Sequence, residues 1–278
     1  MSPILIFGLS GQVGDALLPL LRGSACHVTA LSRQKKNREQ NIVWQEAGFS
    51  DFEANDKYFD AIISLGPLDA FSRWFASSNV KTKQIIALSS TSIVTKRNSP
   101  DVNERKLAQI LMQGEQRLAD HAQRVSASLV ILRPTLIYGA GRDQSLSRWL
   151  GMAKRFGFVV LPHKADGLRQ PVHIADIADA ILSALLLRGG DSLTLDLPGG
   201  ETLAFDNMLL RSLKAHLPAT KVLRLPNFLF RLLFRFASFF GFGVGLGPGF
   251  FARLTEDLVF DATVATVALD YRPRPFSP

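Results

Sequence analysis

The chain opens on PILIFG, a continuous apolar run of strand length, and passes directly into LSGQVGDALLPLLRG, where Val13, Leu17, Leu20 and Leu21 recur at helical spacing. This predicts strand, turn, helix. Pro19 has no amide donor, so the helix is expected to kink or shorten there. Four further apolar runs follow at 27–32, 60–66, 84–90 and 128–139. None alternates with polar residues, as expected of strands covered by helices on both faces. Helices are predicted over 103–122 and 173–190. In the second, Ile174, Ile177, Ala178, Ile181, Leu182 and Leu185 share one face and Gly189-Gly190 supplies a stop. Strands alternating with helices imply right-handed crossovers, and so an α/β fold built on a doubly wound parallel sheet. Beyond residue 190 the texture changes to strand-and-turn sequence and then a Phe-rich stretch. The expected organisation is a main body over 1–190, with 140–170 contributing to a cleft, and a smaller C-terminal lobe over 191–278.

The first strand-to-helix turn reads Gly8-Leu9-Ser10-Gly11-Gln12-Val13-Gly14. Glycines at this spacing let the backbone approach a pyrophosphate, and the helix N-terminus offers it unpaired amides; the plainer alternative is a tight turn packed for helix–strand contact. At the end of the second strand, where a carboxylate would bind the ribose of NAD, stand Ser32 and Arg33. Arginine suits a 2′-phosphate, which favours NADP over NAD, unless the segment is only a solvated basic loop. Contacts to the dinucleotide are expected from Gly8, Ser10, Gly11, Gln12, Val13, Arg33 and the Leu65-Gly66-Pro67 turn.

The 278 residues carry 47% hydrophobic and 20% charged side chains, which excludes a disordered chain. The formal net charge of +8 is scattered, with one cluster at Arg33, Lys35, Lys36 and Arg38. No zinc finger, aromatic RNA-binding signature or basic helix accompanies it, so the expectation is no nucleic acid partner. The lone Cys26 makes no internal disulfide and has no metal-ligand spacing around it; with no basic leader and no unbroken apolar span, the expected location is cytoplasmic.

With these motifs in view, the chain resembles the short-chain dehydrogenase/reductase superfamily, in particular its extended branch of nucleotide-sugar epimerases and dehydratases. GLSGQVG resembles the branch's glycine motif, ALSSTSIV its serine strand, LRPTLIYGAGR its sixth strand and loop, RQPVHIADIADAI its returning segment, and LDYRPRPF its ending. The resemblance implies a Rossmann-like sheet, an NAD(P) cofactor and a small-molecule substrate, either a nucleotide sugar or another small carbonyl compound. It puts Thr91 at the position of the substrate-holding hydroxyl, with Ser90 beside it, and implies that Arg133-Pro134 shapes the nicotinamide side. It also places a Tyr/Lys pair, counted back from Glu115, at Leu107 and Leu111, both apolar. Thr95 stands where a tyrosine is frequent.

Tyr58, Tyr138 and Tyr271 are followed four residues on by Ile62, Arg142 and Pro275, so the chain contains no Tyr-x-x-x-Lys. A proton donor matched to the reacting oxygen is typically worth ~10²- to 10⁴-fold in rate. Tyr138, at the carboxyl end of the sheet with Arg142 to steady a phenolate, is a candidate substitute; alternatively it only walls a pocket. Lys96 and His173 are expected near the same cleft as surface or cofactor-contacting residues, and Asp176 near His173 and Arg169. Two functions remain open: an enzyme with atypical catalytic residues, or a non-catalytic NADP-binding sensor or scaffold subunit. The Phe-rich segment 227–251 predicts a helix with Leu229, Leu232, Leu233, Phe236 and Phe240 on one stripe and Arg231, Arg235 and Ser238 on another. Glycines at 241, 243, 245, 247 and 249 are then expected to end it in a loop. Such a helix roofs the cleft, forms a homodimer face, or makes peripheral membrane contact.

Overall fold

From β1 (Pro3–Phe7) the chain enters α1 (Gln12–Arg22) and continues through β2 (His27–Ser32), β3 (Ile42–Glu46), β4 (Tyr58–Ser64), α2 (Leu68–Ser77) and β5 (Lys81–Leu88). The short α3 (Ser92–Thr95), the long α4 (Val102–Arg124) and β6 (Ser128–Pro134) follow. This computed structural model describes residues 3–37, 39, 41–54, 57–141, 146–187, 192–239 and 248–278, with backbone only for 234–239. The chain then forms β7 (Ile137–Tyr138), α5 (Leu146–Phe156), β8 (Phe158–Pro162), β9 (Leu168–Arg169), β10 (Val172–His173), α6 (Ile174–Leu185) and β11 (Leu193–Leu197). It ends with β12 (Leu203–Ala204), α7 (Phe205–His216), β13 (Lys221–Leu225), α8 (Asn227–Phe239), α9 (Pro248–Arg253) and α10 (Thr263–Leu269).

Seven parallel strands form one sheet in the order β11-β6-β5-β4-β1-β2-β3. The chain works outward from β1 to β3, then returns to the other side of β1 and works outward again from β4. The strand order therefore reverses between β1 and β4, and a crevice opens beyond their carboxyl ends. Both faces of the sheet are apolar, which is why the strand runs do not alternate. Ile4 and Ile6 join Leu17 and Leu21 of α1 and Ile177 and Ile181 of α6. Leu5 and Phe7 point the other way, into Phe71 and Phe75 of α2 and Leu118 of α4. A third cluster, with Trp149, Leu161, Phe205, Met208, Phe230 and Phe276, builds the lobe around the paired β8 and β13.

Several expectations change. α1 is not shortened: it runs through Pro19, which lies on its exposed side. β3 and α2 had no counterpart among the expected elements. β3 is short, with Val43 exposed, and sits at the sheet edge, so its apolar signal is weak. β11 is an edge strand of the main sheet, and α10 packs on α6 and β11. The sequence beyond 190 therefore contributes to the main body as well as to the lobe. In α8 three members of the expected stripe, Leu229, Leu232 and Leu233, are exposed, while Phe230 is buried in the lobe; the side chains of Phe236 and Phe240 lie outside the described residues. Gly249 lies in α9, not in a loop. The glycines at 241, 243, 245 and 247 and the Gly189-Gly190 stop lie outside the described residues. Among those described, no helix is long and apolar enough to cross a membrane, and no cluster of side chains is arranged to hold a metal ion.

Leu17 is fully buried, whereas Val267 is 83% exposed on α10. Leu17→Ala is expected to lower unfolding stability by about 2–5 kcal/mol in urea titrations. Val267→Ala should stay within about 0.5 kcal/mol of the parent.

Candidate functional site

The turn after β1 is built for close approach. Gly8 adopts φ +80°, and a Cβ there would lie 2.9 Å from the Gly66 nitrogen, so the β1 and β4 turns touch backbone to backbone. The Gly11 amide donates to the Gly8 carbonyl at 2.9 Å, and α1 starts at the next residue. Beyond this contact runs a groove of about 250 Å³ lined by Gln12, Val13, Leu65, Gly66, Pro67 and Pro134, among others. Two helices, α1 and α2, begin at its edge, and helix starts favour an anion. The structure thus brings together Gln12, Val13, Leu65, Gly66, Pro67 and Pro134 from the expected set, with Gly8 and Gly11 shaping the turn. Ser10 and Arg33 are exposed and do not line the groove. Arg33 follows Ser32, whose register partner on β3 is Glu46.

Arg133 also stays out of the groove. Its guanidinium forms a two-pronged pair with Glu115 of α4, which also accepts the Ser89 hydroxyl. This pair ties the end of β6 to α4. Asp196, the register partner of Arg133 on β11, has a buried carboxylate oxygen without a partner, and burial raises its pKa.

The groove opens into a cleft of about 570 Å³ between the sheet and the lobe. Gln12 and Ile137 line both spaces, and the buried Gln12 Oε1 has no hydrogen-bond partner. The sheet side supplies Ser90, Thr91, Ser92, Thr95 and Lys96. The lobe side supplies Arg148, Trp149, Arg169, Phe205, Phe250 and Arg253. The Thr91 hydroxyl donates to the Pro134 carbonyl at 3.3 Å, while Ser90 Oγ accepts the Ser92 amide at 3.1 Å.

Across the mouth of the cleft, Arg253 of α9 holds Glu104 of α4 with two guanidinium nitrogens, and Ser99 Oγ donates to the same carboxylate at 2.6 Å. A Cβ on Gly249 would collide with the Glu104 carboxylate and Ser99 Oγ, so a side chain there would have to displace the group that Arg253 holds. Burial works to raise the Glu104 pKa, but the hydrogen bonds from Arg253 and Ser99 outweigh it and hold the carboxyl below its usual value. Arg169 is buried against the Phe205 ring and donates to the carbonyls of Leu168, Arg253 and Glu256. Burial, with Arg253 nearby, pushes it down to about 10.

Tyr138 does not line this cleft. It borders a separate space of about 190 Å³, where its hydroxyl donates to the Pro275 carbonyl at 3.4 Å and accepts the Ser277 amide at 3.2 Å. Burial raises its pKa, which disfavours a phenolate; Arg142 lies outside the described residues. His173 caps α6, its Nδ1 accepting the Ala175 amide at 3.1 Å. Asp176 binds Arg274 at 2.7 Å and not Arg169, because the chain end folds back over α6. On α4, Leu107 is 40% exposed and Leu111 lines the groove.

Three solved structures share this architecture along nearly their whole length. The UDP-Glc/GlcNAc 4-epimerase from Campylobacter jejuni superposes with a TM-score of 0.72 at 16% identity, covering 100% of this chain and 95% of that one. The UDP-glucuronic acid 4-epimerase from Bacillus cereus, solved with UDP-glucuronic acid and NAD, gives 0.70 at 15% identity over 99% and 95%. The UDP-N-acetylglucosamine 4-epimerase from Methanobrevibacter ruminantium, solved with UDP-N-acetylmuramic acid, gives 0.70 at 12% identity over 98% and 93%. No family model and no curated protein matches the sequence. At these identities the likeness establishes the fold, an α/β protein with a Rossmann-like, doubly wound parallel sheet.

On the lobe side of the cleft the sequence pointed to segments, 140–170 and the Phe-rich 227–251, but not to the individual side chains that line it. Arg148, Arg253 and Phe250 come from α5 and α9, more than 50 residues beyond the sheet motifs they face, and no local spacing links them. The Phe-rich stretch was the available signal, since Phe250 and Phe251 pack into the lobe core.

The Glu104–Arg253 contact yields a pH expectation. The folded pKa of Glu104 is below its usual 4.5, so its contribution to stability is complete above about pH 4.5 and is lost as pH falls through the folded value. Glu104→Gln should cost about 1–3 kcal/mol at pH 7 and flatten the acid side of the stability curve, read by urea unfolding at pH 7 and pH 4.

Proposed function

We propose that this chain binds a nicotinamide dinucleotide in the groove at the β1/β4 crevice and acts on a nucleotide sugar, or another small carbonyl compound, in the adjoining cleft. One observation carries the reading: the glycine turn at the helix start and the cationic cleft are continuous through Gln12, whose buried oxygen is left without a partner. The residues fit the group. Gly8, Gly11 and the start of α1 suit a pyrophosphate, Leu65-Gly66-Pro67 and Pro134 form apolar walls, and Gln12 has an acceptor to spare. Bound there, a nicotinamide supplies a hydride acceptor and donor. NADP is favoured by Arg33 and by the lack of a carboxylate at the end of β2, while the Bacillus cereus relative was solved with NAD.

In the cleft, Lys96, Arg148, Arg169 and Arg253 outnumber Glu104, a balance that suits a diphosphate. Thr91 commits its proton to Pro134, whereas Ser90 uses only a lone pair on Ser92, so Ser90 is the better donor to a substrate oxygen. Tyr138 is proposed as a wall held by the chain end. A second reading, a nucleotide-binding sensor without turnover, is favoured by the apolar Leu107 and Leu111 on α4.

Fluorescence titration with NADPH and NADH tests the reading. Both are expected to bind, NADPH more tightly. Arg33→Ala should weaken NADPH about 10- to 100-fold, the ~1.5–3 kcal/mol of a charged hydrogen bond, and leave NADH unchanged. Gly8→Val should abolish both. Absence of binding by the parent protein would refute the proposal, and tight binding with no hydride exchange toward UDP-glucuronic acid or UDP-N-acetylglucosamine would favour the sensor.

A further inference from the structure

Hydride transfer between an alcohol and a carbonyl leaves one proton to be moved, and the residues lining the cleft narrow the choice of carrier. Among the described residues of its lining there is no tyrosine, histidine or cysteine. Its ionisable groups are Lys96, Glu104, Arg148, Arg169 and Arg253. Arginine does not release its proton in this setting. Glu104 is engaged as a carboxylate by Arg253 and Ser99, which leaves it no proton to give and makes it a poor acceptor. Lys96 differs from all of these. It closes α3, directly after the hydroxyl run Ser90, Thr91, Ser92 and Thr95, and among the described residues no hydrogen bond or ion pair holds its amine.

Resting on the reading of this cleft as the place of hydride transfer, we infer that Lys96 is the catalytic proton carrier, doing from α3 what no residue at Leu107 or Leu111 can do from α4. As a substrate CH–OH is oxidised to C=O, its hydride passes to the oxidised nicotinamide and its hydroxyl proton passes to the Lys96 amine, which becomes an ammonium. In the return direction the ammonium gives the proton back to the forming alkoxide while carbon regains the hydride. Ser90, with its proton uncommitted, holds the same oxygen.

The surroundings of Lys96 suit that exchange. Burial, followed by repulsion from Arg253 on α9, lowers its pKa, while Glu104 on α4 and Asp101 at the start of α4 oppose the shift. A lowered value brings a lysine closer to the range in which it both takes and gives a proton. Sequence reading gave Lys96 a surface or cofactor-contacting role, since its exposure is decided by α9 and the start of α4, which close over it.

The test uses the full chain with UDP-glucuronic acid and UDP-N-acetylglucosamine as probes. Lys96→Met is expected to slow hydride exchange, followed by nicotinamide absorbance, by ~10²- to 10⁴-fold while leaving NADPH and NADH affinity unchanged. Lys96→Arg keeps the charge but cannot release its proton near neutral pH, so it should stay slow and lose the rise of alcohol oxidation with pH. Independently of turnover, NMR of the ¹³C-methylated protein, with the Lys96 signal assigned from Lys96→Arg, should show it titrating below the exposed lysines and moving when UDP-glucuronic acid is added. Full activity in Lys96→Arg, or a Lys96 signal that titrates with the exposed lysines or ignores the probe, would overturn the inference and leave the nucleotide-binding proposal standing. Failure of the parent protein to bind either nucleotide would instead remove the reading beneath it.

Discussion

Parallel pairing of seven strands is the constraint from which the rest follows. A parallel sheet cannot be closed by hairpins, so each strand must be followed by a crossover that returns over a face, and both faces become apolar. The period-two split of Ile4 and Ile6 against Leu5 and Phe7 expresses this directly, feeding two separate cores from one strand. The same pairing collects every strand's carboxyl end on one edge. Because the order reverses between β1 and β4, the two flanking turns diverge beyond the Leu65–Phe7 backbone hydrogen bond and the close approach of Gly8 to Gly66.

The lobe is attached to this edge by polar contacts of high specificity. Arg253 on Glu104, Arg274 on Asp176 and the chain-end amide of Ser277 on Tyr138 each join segments roughly 100 residues or more apart. Their effect is to place a basic wall opposite the hydroxyl run after β5. The charges around the cleft are unequal in availability: Arg169 and Arg253 on the lobe side are saturated by carbonyls and by Glu104, while Lys96 on the sheet side is left without a partner among the described residues. Net positive charge in the cleft therefore says less about its chemistry than the census of which charges are already engaged.

Much of the frame was legible in the sequence because it rests on local pattern. β1, α1, β2, β4, β5, α4, β6 and α6 all lie close to their expected spans, since continuous apolar runs and helical stripes act within one element. The groove residues Gln12, Val13, Leu65, Gly66, Pro67 and Pro134 were also legible, because they follow strands at the carboxyl edge. Arg133 and Tyr138 stand elsewhere than expected, as both are captured by partners on other elements, Arg133 by Glu115 of the preceding helix and Tyr138 by the 275–277 segment far along the chain. The outward turn of Leu229, Leu232 and Leu233 in α8 has the same origin, for a helix apolar on several sides does not announce which side meets the lobe.

By itself the sequence determined the fold class, the position of the glycine turn and the absence of any Tyr-x-x-x-Lys, because periodicity, backbone permissiveness and residue identity are local properties. Only the tertiary structure decided which side chains share the cleft and which are already engaged. Burial, hydrogen-bond saturation and the seating of α9, through Gly249, against Glu104 and Ser99 depend on distances between segments that the chain brings together only once it has folded.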